Sequence, residues 1–333
     1  MSIAQRLRYF NRIVSAYLTS SNSHLTFWHE APEENLRAPV AELGEYYMNF
    51  ARKAAYTGHL DAAGIPMLDY RGTIGLQYNP IAISQWCLGN YNLFRENKDQ
   101  GLDSRNREYL RKFLAGSDWL CSSLQQNRFG IWVWHHHFDW EYRNTLRGPW
   151  YSGLAQGQGI SLLVRAHAET GEPKYLDTAR RAFGSFLKSV TEGGVVFVDE
   201  QQNSWFEEYI VSPPTHILNG FIWAAWGVRD YFLATGDLAA ESLFHAAVET
   251  LRANLPTYDL GFWSLYEQSG TRLPMIASPF YHQLHIVQLD VMYRLTGDKL
   301  FNAYAGRWRT YARHWINRSR ALCYKSVFKL FYY

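Results

Sequence analysis

A short punctuation mark recurs through the second half of the chain. Thr170-Gly171, Thr235-Gly236 and Thr296-Gly297 each end an apolar run and are followed by a more amphipathic one. The steps are about 60–65 residues. A Gly just past the last apolar residue, followed by an acidic residue, predicts a helix stop and a new helix start. The run "HILNGFIWAAWGVRDYFLA" before such a stop is apolar nearly all round, as an inner helix should be, and "AAESLFHAAVETLRANL" after it keeps one polar face. The same pairing extends backwards, to "SGLAQGQGISLLVRAHAETG" with "KYLDTARRAFGSFLKSV" and to "NPIAISQWCLGNYNLFRENKD" with "SRNREYLRKFLAGSDWLCSSLQQ". About four helical hairpins follow, and hairpins of this kind close into an α/α toroid. The predicted fold class is therefore mainly α: an incomplete toroid with a cleft lined by inner-helix ends and the intervening loops.

Those loops carry strand signals. "GGVVFVDEQQNSWFEEY" and "LGFWSLYEQSGTRLP" alternate rings with polar residues between glycines and read as short β-hairpins at the cleft mouth. They bring Trp205, Glu207, Glu208, Tyr209, Tyr266 and Glu267 to that mouth. On a strand, neighbouring residues face opposite ways, so one of Glu207 and Glu208 enters the cleft and the other points out. A carboxylate walled by Trp205 and Phe206 is desolvated, which raises its pKa toward the range of a base at neutral pH. The alternative is a solvated hairpin edge with incidental aromatics, and residue types alone leave the two even.

Composition narrows the partners. The 13 Trp and 23 Tyr among 333 residues suit a core, and equally the stacking faces of a sugar-binding cleft. A net charge of +3 without a clustered basic face gives no nucleic-acid footprint. No segment has the run of about 18 apolar residues that a membrane-spanning helix needs, and the N-terminus lacks a signal peptide, so a cytoplasmic protein is expected. Residues 1–60 are read as an N-terminal helical docking segment and 61–333 as the toroid domain. Cys87, Cys121 and Cys323 are far apart and form neither a disulfide framework nor a metal spacing. His135-His136-His137 alternate faces if extended and do not converge on one ion. "GLAQGQGI" lacks the lysine of a phosphate loop, and no serine-nucleophile elbow is found.

Several motifs, in one order, resemble the D-glucuronyl C5-epimerases of heparan sulfate and heparosan biosynthesis. "PWYSGLAQGQGISLLVRAH" (149–167), "WFEEYIVSPPTHILNGF" (205–221), "LPTYDLGFWSLYE" (255–267) and "FYHQLHIVQL" (280–289) are similar to segments of that family, as are "NPIAISQWCLGNYN" and "FLAGSDWL" upstream. The resemblance runs from about residue 64 to about residue 315. It implies a uronate C5-epimerase that converts D-glucuronosyl to L-iduronosyl units in a glycan. Such chemistry needs a base on one face of the sugar, a proton donor on the other, and neutralisation of the carboxylate beside the carbanion. No cofactor or metal is required. The family's catalytic positions fall on Glu208, Tyr209, Tyr266 and Tyr281, with Glu208 and Tyr281 as the acid/base pair. Gln85, Tyr151, Asn219 and His282 fall on positions implied to bind substrate, and Arg165 is as readily a structural residue. A homodimer is also implied.

The chain departs from the family in three places. The β-rich insertion of animal members is reduced to "ENKDQGLDSRNREYLRK". "SPF" stands where the resemblance implies Arg-Trp-Asp, and "EQSG" replaces a segment implied to carry another Arg, so two partners for a sugar carboxylate or sulfate are missing. "WVWHHHFDWEY" is added. Two other readings stay open. One is a glycoside hydrolase or uronate lyase on the same scaffold, with Glu208 and either Glu267 or Asp139 supplying the two carboxyls of hydrolysis. The other is a non-catalytic glycan-binding module, against which the combination of Glu208 with three tyrosines speaks.

Overall fold

The computed structural model describes residues 27–70, 72–98, 103–140, 142 and 145–332. After a short helix α1 (Ala51–Ala54), four hairpins follow: α2 (Pro80–Asn97) with α3 (Ser104–Ser123), α4 (Gly153–Thr170) with α5 (Pro173–Phe183), α6 (Leu218–Thr235) with α7 (Leu238–Asn254), and α8 (Pro279–Thr296) with α9 (Lys299–Arg313). A final helix, α10 (Trp315–Tyr332), packs on α9. The first helix of each hairpin lies inside and the second outside, as the polarity of the segments predicts. The fold is an incomplete α/α toroid.

The Thr-Gly stops have one physical construction. Gly171, Gly236 and Gly297 take left-handed φ values of 71°, 70° and 72°, where a Cβ would be strained. In each case the preceding threonine hydroxyl donates to the carbonyl four residues back at 2.7 Å. The same oxygen accepts the backbone N–H two residues on, at 3.1–3.2 Å. The second helix of the hairpin begins there.

The glycines of "GLAQGQGI" serve helix packing. A Cβ on Gly157 would stand 2.5 Å from the Ala224 Cα, and one on Gly227 would stand 2.2 Å from the Gly157 carbonyl oxygen. Small residues thus let the backbones of α4 and α6 touch. Arg165 is structural: it pairs with Asp230 at 2.6 Å, both side chains fully buried, and donates to the Gly44 carbonyl at 2.8 Å. Tyr47 completes the network with a 2.5 Å bond to Asp230.

Of the segment expected to be a helical docking element, residues 1–26 lie outside the described residues. Residues 27–60 contain one short helix and otherwise run as turns and isolated bridges. Phe27, Tyr46, Tyr47, Met48 and Phe50 join the same core as the toroid helices. The segment is pinned on both sides. Asn92 of α2 accepts the Tyr46 N–H at 2.7 Å, and Arg294 of α8 donates to the carbonyls of Ala38 and Asn35 at 2.6 and 2.9 Å. It therefore ties the first inner helix to the last.

Three short antiparallel hairpins interrupt the helices: β1 (Leu68–Asp69) with β2 (Leu76–Gln77), β3 (Leu124–Gln126) with β4 (Trp132–Trp134), and β5 (Val196–Val198) with β6 (Ser204–Phe206). The "LGFWSLYEQSGTRLP" segment differs from expectation. It forms isolated bridges only, because Gly261 and Gly270 turn the chain at φ 76° and 65°, and its carbonyls and N–H groups pair outward, as in Leu218 N–H to the Tyr266 carbonyl at 3.1 Å.

Candidate active site

Strand β6 ends at Phe206, and the next two residues separate two carboxylates. Glu207 turns into the body of the protein, where the His216 ring meets it at 2.5 Å and the His216 backbone N–H donates to it at 3.2 Å. His216 is stacked on Trp205, with ring centroids 4.3 Å apart. Glu207 is thus a buried structural carboxylate, where the sequence suggested an outward, solvated one. Trp205 likewise lies buried behind the cleft.

Glu208 faces the other way, into a cleft of about 360 Å³. Its place is made by Gly220 in the first turn of α6, where a Cβ would stand 2.2 Å from the Glu208 Oε2. The Ncap residue of α6, Ile217, offers no side-chain cap, so the carboxylate lies beside a helix N-terminus that has none. Burial pushes its pKa up to about 8; a Tyr209 hydrogen bond works against that shift, and the nearby Glu267 and Glu207 add to it. A carboxyl poised near neutrality is suited to exchange protons with substrate.

Tyr209, Tyr281, Asn219 and Gln85 also line this cleft. Tyr281 sits in the first turn of α8 behind the Ser278 cap. Burial, first of all, and then the charge of Glu208 raise the phenols of both Tyr209 and Tyr281 above their ordinary range. Tyr266 does not line the cleft. It stands one layer back, its ring centroid 4.8 Å from that of Tyr281. Trp28, Trp140, Trp150 and Trp223 supply flat walls.

Polar groups in the cleft are left open. Among the described residues, Gln85 Oε1, Asn219 Oδ1 and Trp223 Nε1 are buried with no hydrogen-bond partner. Buried polar atoms are nearly always paired, so three unsatisfied ones in one cleft point to a polar ligand.

Two expected binding residues lie elsewhere. Tyr151 lines an adjoining depression of about 510 Å³ on the other side of Trp150, together with Asn127, Arg128, His135 and Arg147. His282 is buried behind Trp263, its rings stacked at 3.8 Å; Nδ1 meets the Ser264 hydroxyl at 2.8 Å and Nε2 the Trp308 carbonyl at 3.0 Å. Both ring nitrogens are committed. His136 is stacked on Trp150 at 3.8 Å while His135 and His137 share the other side. Among the described residues no three His, Cys, Asp or Glu side chains are grouped as metal ligands.

Sequence reasoning missed the contribution of residues 27–60. Trp28, Glu30, Asn49, Phe50 and Lys53 all line the cleft, and no motif marks them. Tyr70, which also lines it and accepts a hydrogen bond from Asn79 at 2.7 Å, was equally silent.

Fold and cleft together define the class: an incomplete α/α toroid with a ring-walled cleft. A family 76 glycoside hydrolase (mannosidase) from Bacteroides thetaiotaomicron shares the fold, with a TM-score of 0.53 at 12% identity over 85% of this chain and 80% of that one. A family model described as D-glucuronyl C5-epimerase C-terminus matches residues 126–310, more than half of the 333 residues, and the chain belongs to that family. The D-glucuronyl C5-epimerase of Caenorhabditis elegans is 30% identical over 228 residues, 64% of this chain. The aligned region is 37% of that enzyme, so the chain spans little more than a third of it. An uncharacterised protein of Methanocaldococcus jannaschii is 29% identical over 255 residues, 72% of this chain and 81% of that protein. No helix among the described residues is long and apolar enough to cross a membrane.

Proposed function

We propose that the protein is a uronate C5-epimerase that inverts D-glucuronosyl to L-iduronosyl units in a heparosan-like glycan. The observation that carries this reading is Glu208, a buried carboxyl with a raised pKa, sharing a ring-walled cleft with Tyr209 and Tyr281 inside the family-matched segment. The C5 hydrogen of a uronosyl unit lies beside a carboxylate, so its removal builds an enediolate. Glu208 takes the proton as base. A phenol then reprotonates C5 from the opposite face, and Tyr281 is assigned that part. An ordinary phenol, with a pKa near 10, is a good donor to a carbanion, and burial strengthens its hold on the proton in the resting state. Tyr209 follows Glu208 directly in the same cleft, and the Tyr266 ring packs against that of Tyr281, which positions each partner. Gln85 Oε1 and Asn219 Oδ1 offer open acceptors to sugar hydroxyls, while their amide nitrogens are held by Gln158 and Glu208. Beyond Trp150, Tyr151 and the adjoining depression give a polymer room to continue.

Hydrolysis fits less well. Asp139 is tied to Arg147 and the Gly148 N–H on the surface, and Glu267 does not line the cleft. No second carboxyl from that pair faces Glu208 across a scissile bond. The test is incubation with heparosan in deuterated water, followed by proton NMR. Deuterium at C5 without chain shortening is the expected result. New reducing ends would mean hydrolysis and a 4,5-unsaturated signal a lyase. No change with this or other glucuronate polymers would favour a binding module.

A further inference from the structure

Removing a proton from the carbon beside a carboxylate concentrates two negative charges on one small group. That step needs a cation or strong hydrogen-bond donors at the carboxylate. Around Glu208, Tyr209 and Tyr281 the cleft is lined by rings and amides, none of which carries a positive charge. The charge must come from somewhere else in the fold.

One side chain answers. Among the described residues lining the cleft, Lys53 is the only lysine or arginine. It belongs to α1, in the segment that ties α2 to α8, and is buried, with 6% of its surface exposed. Its Nζ sits 4.3 Å from the centre of the Phe27 ring and 5.8 Å from that of Phe50. It donates one hydrogen bond, to the Phe27 carbonyl, and forms no salt bridge among the described residues. An ammonium has three donors. Glu30, in the same cleft, acts on it through space without a salt bridge, and a buried cation held by no direct ion pair is costly. Burial pushes its pKa down to about 7, with the field of Glu30 working against that fall. Binding an anion would return the proton and the charge.

We propose that Lys53 receives the carboxylate of the sugar whose C5 is attacked. This assignment rests on the epimerase reading for the reaction but not for the binding. It makes Lys53 a residue specifying acidic over neutral sugars, carried by a segment outside the family-matched region.

The test compares wild type, Lys53→Met and Lys53→Arg in the full chain. Three quantities are read: the melting temperature, calorimetric affinity for heparosan and for carboxyl-reduced heparosan, and the KM and kcat of C5 deuterium exchange. Lys53→Met relieves the cost of burying an ammonium but leaves the Phe27 carbonyl without its donor, so its melting temperature is expected to stay within a few degrees of wild type. It is expected to lose about 10- to 100-fold in affinity for heparosan, the size of a charge-assisted hydrogen bond, while its weak affinity for the reduced polymer stays put. Lys53→Arg should recover part of that affinity. If Lys53→Met binds heparosan as wild type does, the proposal is overturned. A lower melting temperature with unchanged affinity would also overturn it and make Lys53 a strut for the Phe27 carbonyl. A wild type that binds heparosan through Lys53 but exchanges no C5 hydrogen would uphold the proposal and refute the epimerase reading. A wild type that binds no carboxylated polymer refutes both.

Discussion

The Glu208 carboxylate fills the space that a Cβ on Gly220 would take, with Oε2 only 2.2 Å from that position. The first turn of α6 and the end of the β5–β6 hairpin are thereby fitted to each other, and the acid is held against a helix N-terminus by the absence of a side chain. Gly220→Ala tests this fit. Alanine favours a helix over glycine by about 1 kcal/mol, so the variant is expected to melt within a few degrees of wild type. Exchange at C5 should nonetheless fall by more than about tenfold, since displacing a reacting group by an ångström costs of that order or more. Unchanged turnover would mean that the Glu208 position does not matter.

Glu208→Gln removes the base and keeps the shape. C5 exchange should be lost, with a drop of about 10²- to 10⁴-fold, while thermal unfolding at neutral pH shows no loss of stability. Full exchange in this variant would exclude Glu208 as the base.

The raised pKa of Glu208 makes two pH statements. In the folded state the carboxyl stays protonated up to about pH 8, whereas an ordinary one ionises near 4.5. The folded protein therefore binds more protons between these values, and this group's stabilising contribution, complete below about 4.5, is lost as pH rises through 8. The slope is at most about 1.4 kcal/mol per pH unit. Denaturant titrations of wild type and Glu208→Gln should diverge over that window, with the variant gaining relative stability toward high pH. Exchange catalysed by the wild type should rise with pH toward a plateau above about 8, as the base form accumulates. A rate already flat from pH 5 would contradict this.

Tyr281 lines the cleft and Tyr266 stands behind it. Tyr281→Phe should abolish detectable inversion by removing the donor. Tyr266→Phe should lower kcat by about tenfold and leave KM unchanged, because it acts only by orienting the Tyr281 hydroxyl. Equal losses in the two variants would place both phenols at the substrate.

The Arg165–Asp230 pair is fully buried and shared with Tyr47 and the Gly44 carbonyl. Arg165→Met leaves Asp230 without its cation and should destabilise the fold by about 3–5 kcal/mol, read as a lower denaturation midpoint. A loss below about 1 kcal/mol would show that the buried pair contributes little net stability.

Helix stops, inner and outer faces, and the order of hairpins were all legible from residue spacing, because a Thr-Gly stop works through atoms within four residues of itself. The β5–β6 hairpin was legible for the same reason. Within "WFEEY", alternation correctly separates the two carboxylates, yet it does not say what each meets. Glu207 meets His216, nine residues on, and that contact turns an expected surface charge into a buried strut. His282 carries a motif resemblance, but its surroundings come from Trp263 and Trp308, which the spacing of "FYHQLHIVQL" does not encode.

The sequence by itself determined the helical repeat, the family, and the stretch in which the reactive acid sits. Each of these is written in local spacing or in the residue types of a motif. Only the tertiary structure decided that Glu207 turns into the body against His216, that Tyr266 stands in the second layer, and that residues 27–60 supply a wall with a buried lysine. These follow from which surfaces are pressed together once the toroid closes. Desolvation is a property of that closure: the rings beside Glu208 in the chain allow a buried or a solvated carboxylate equally, and nothing local to Lys53 announces its burial.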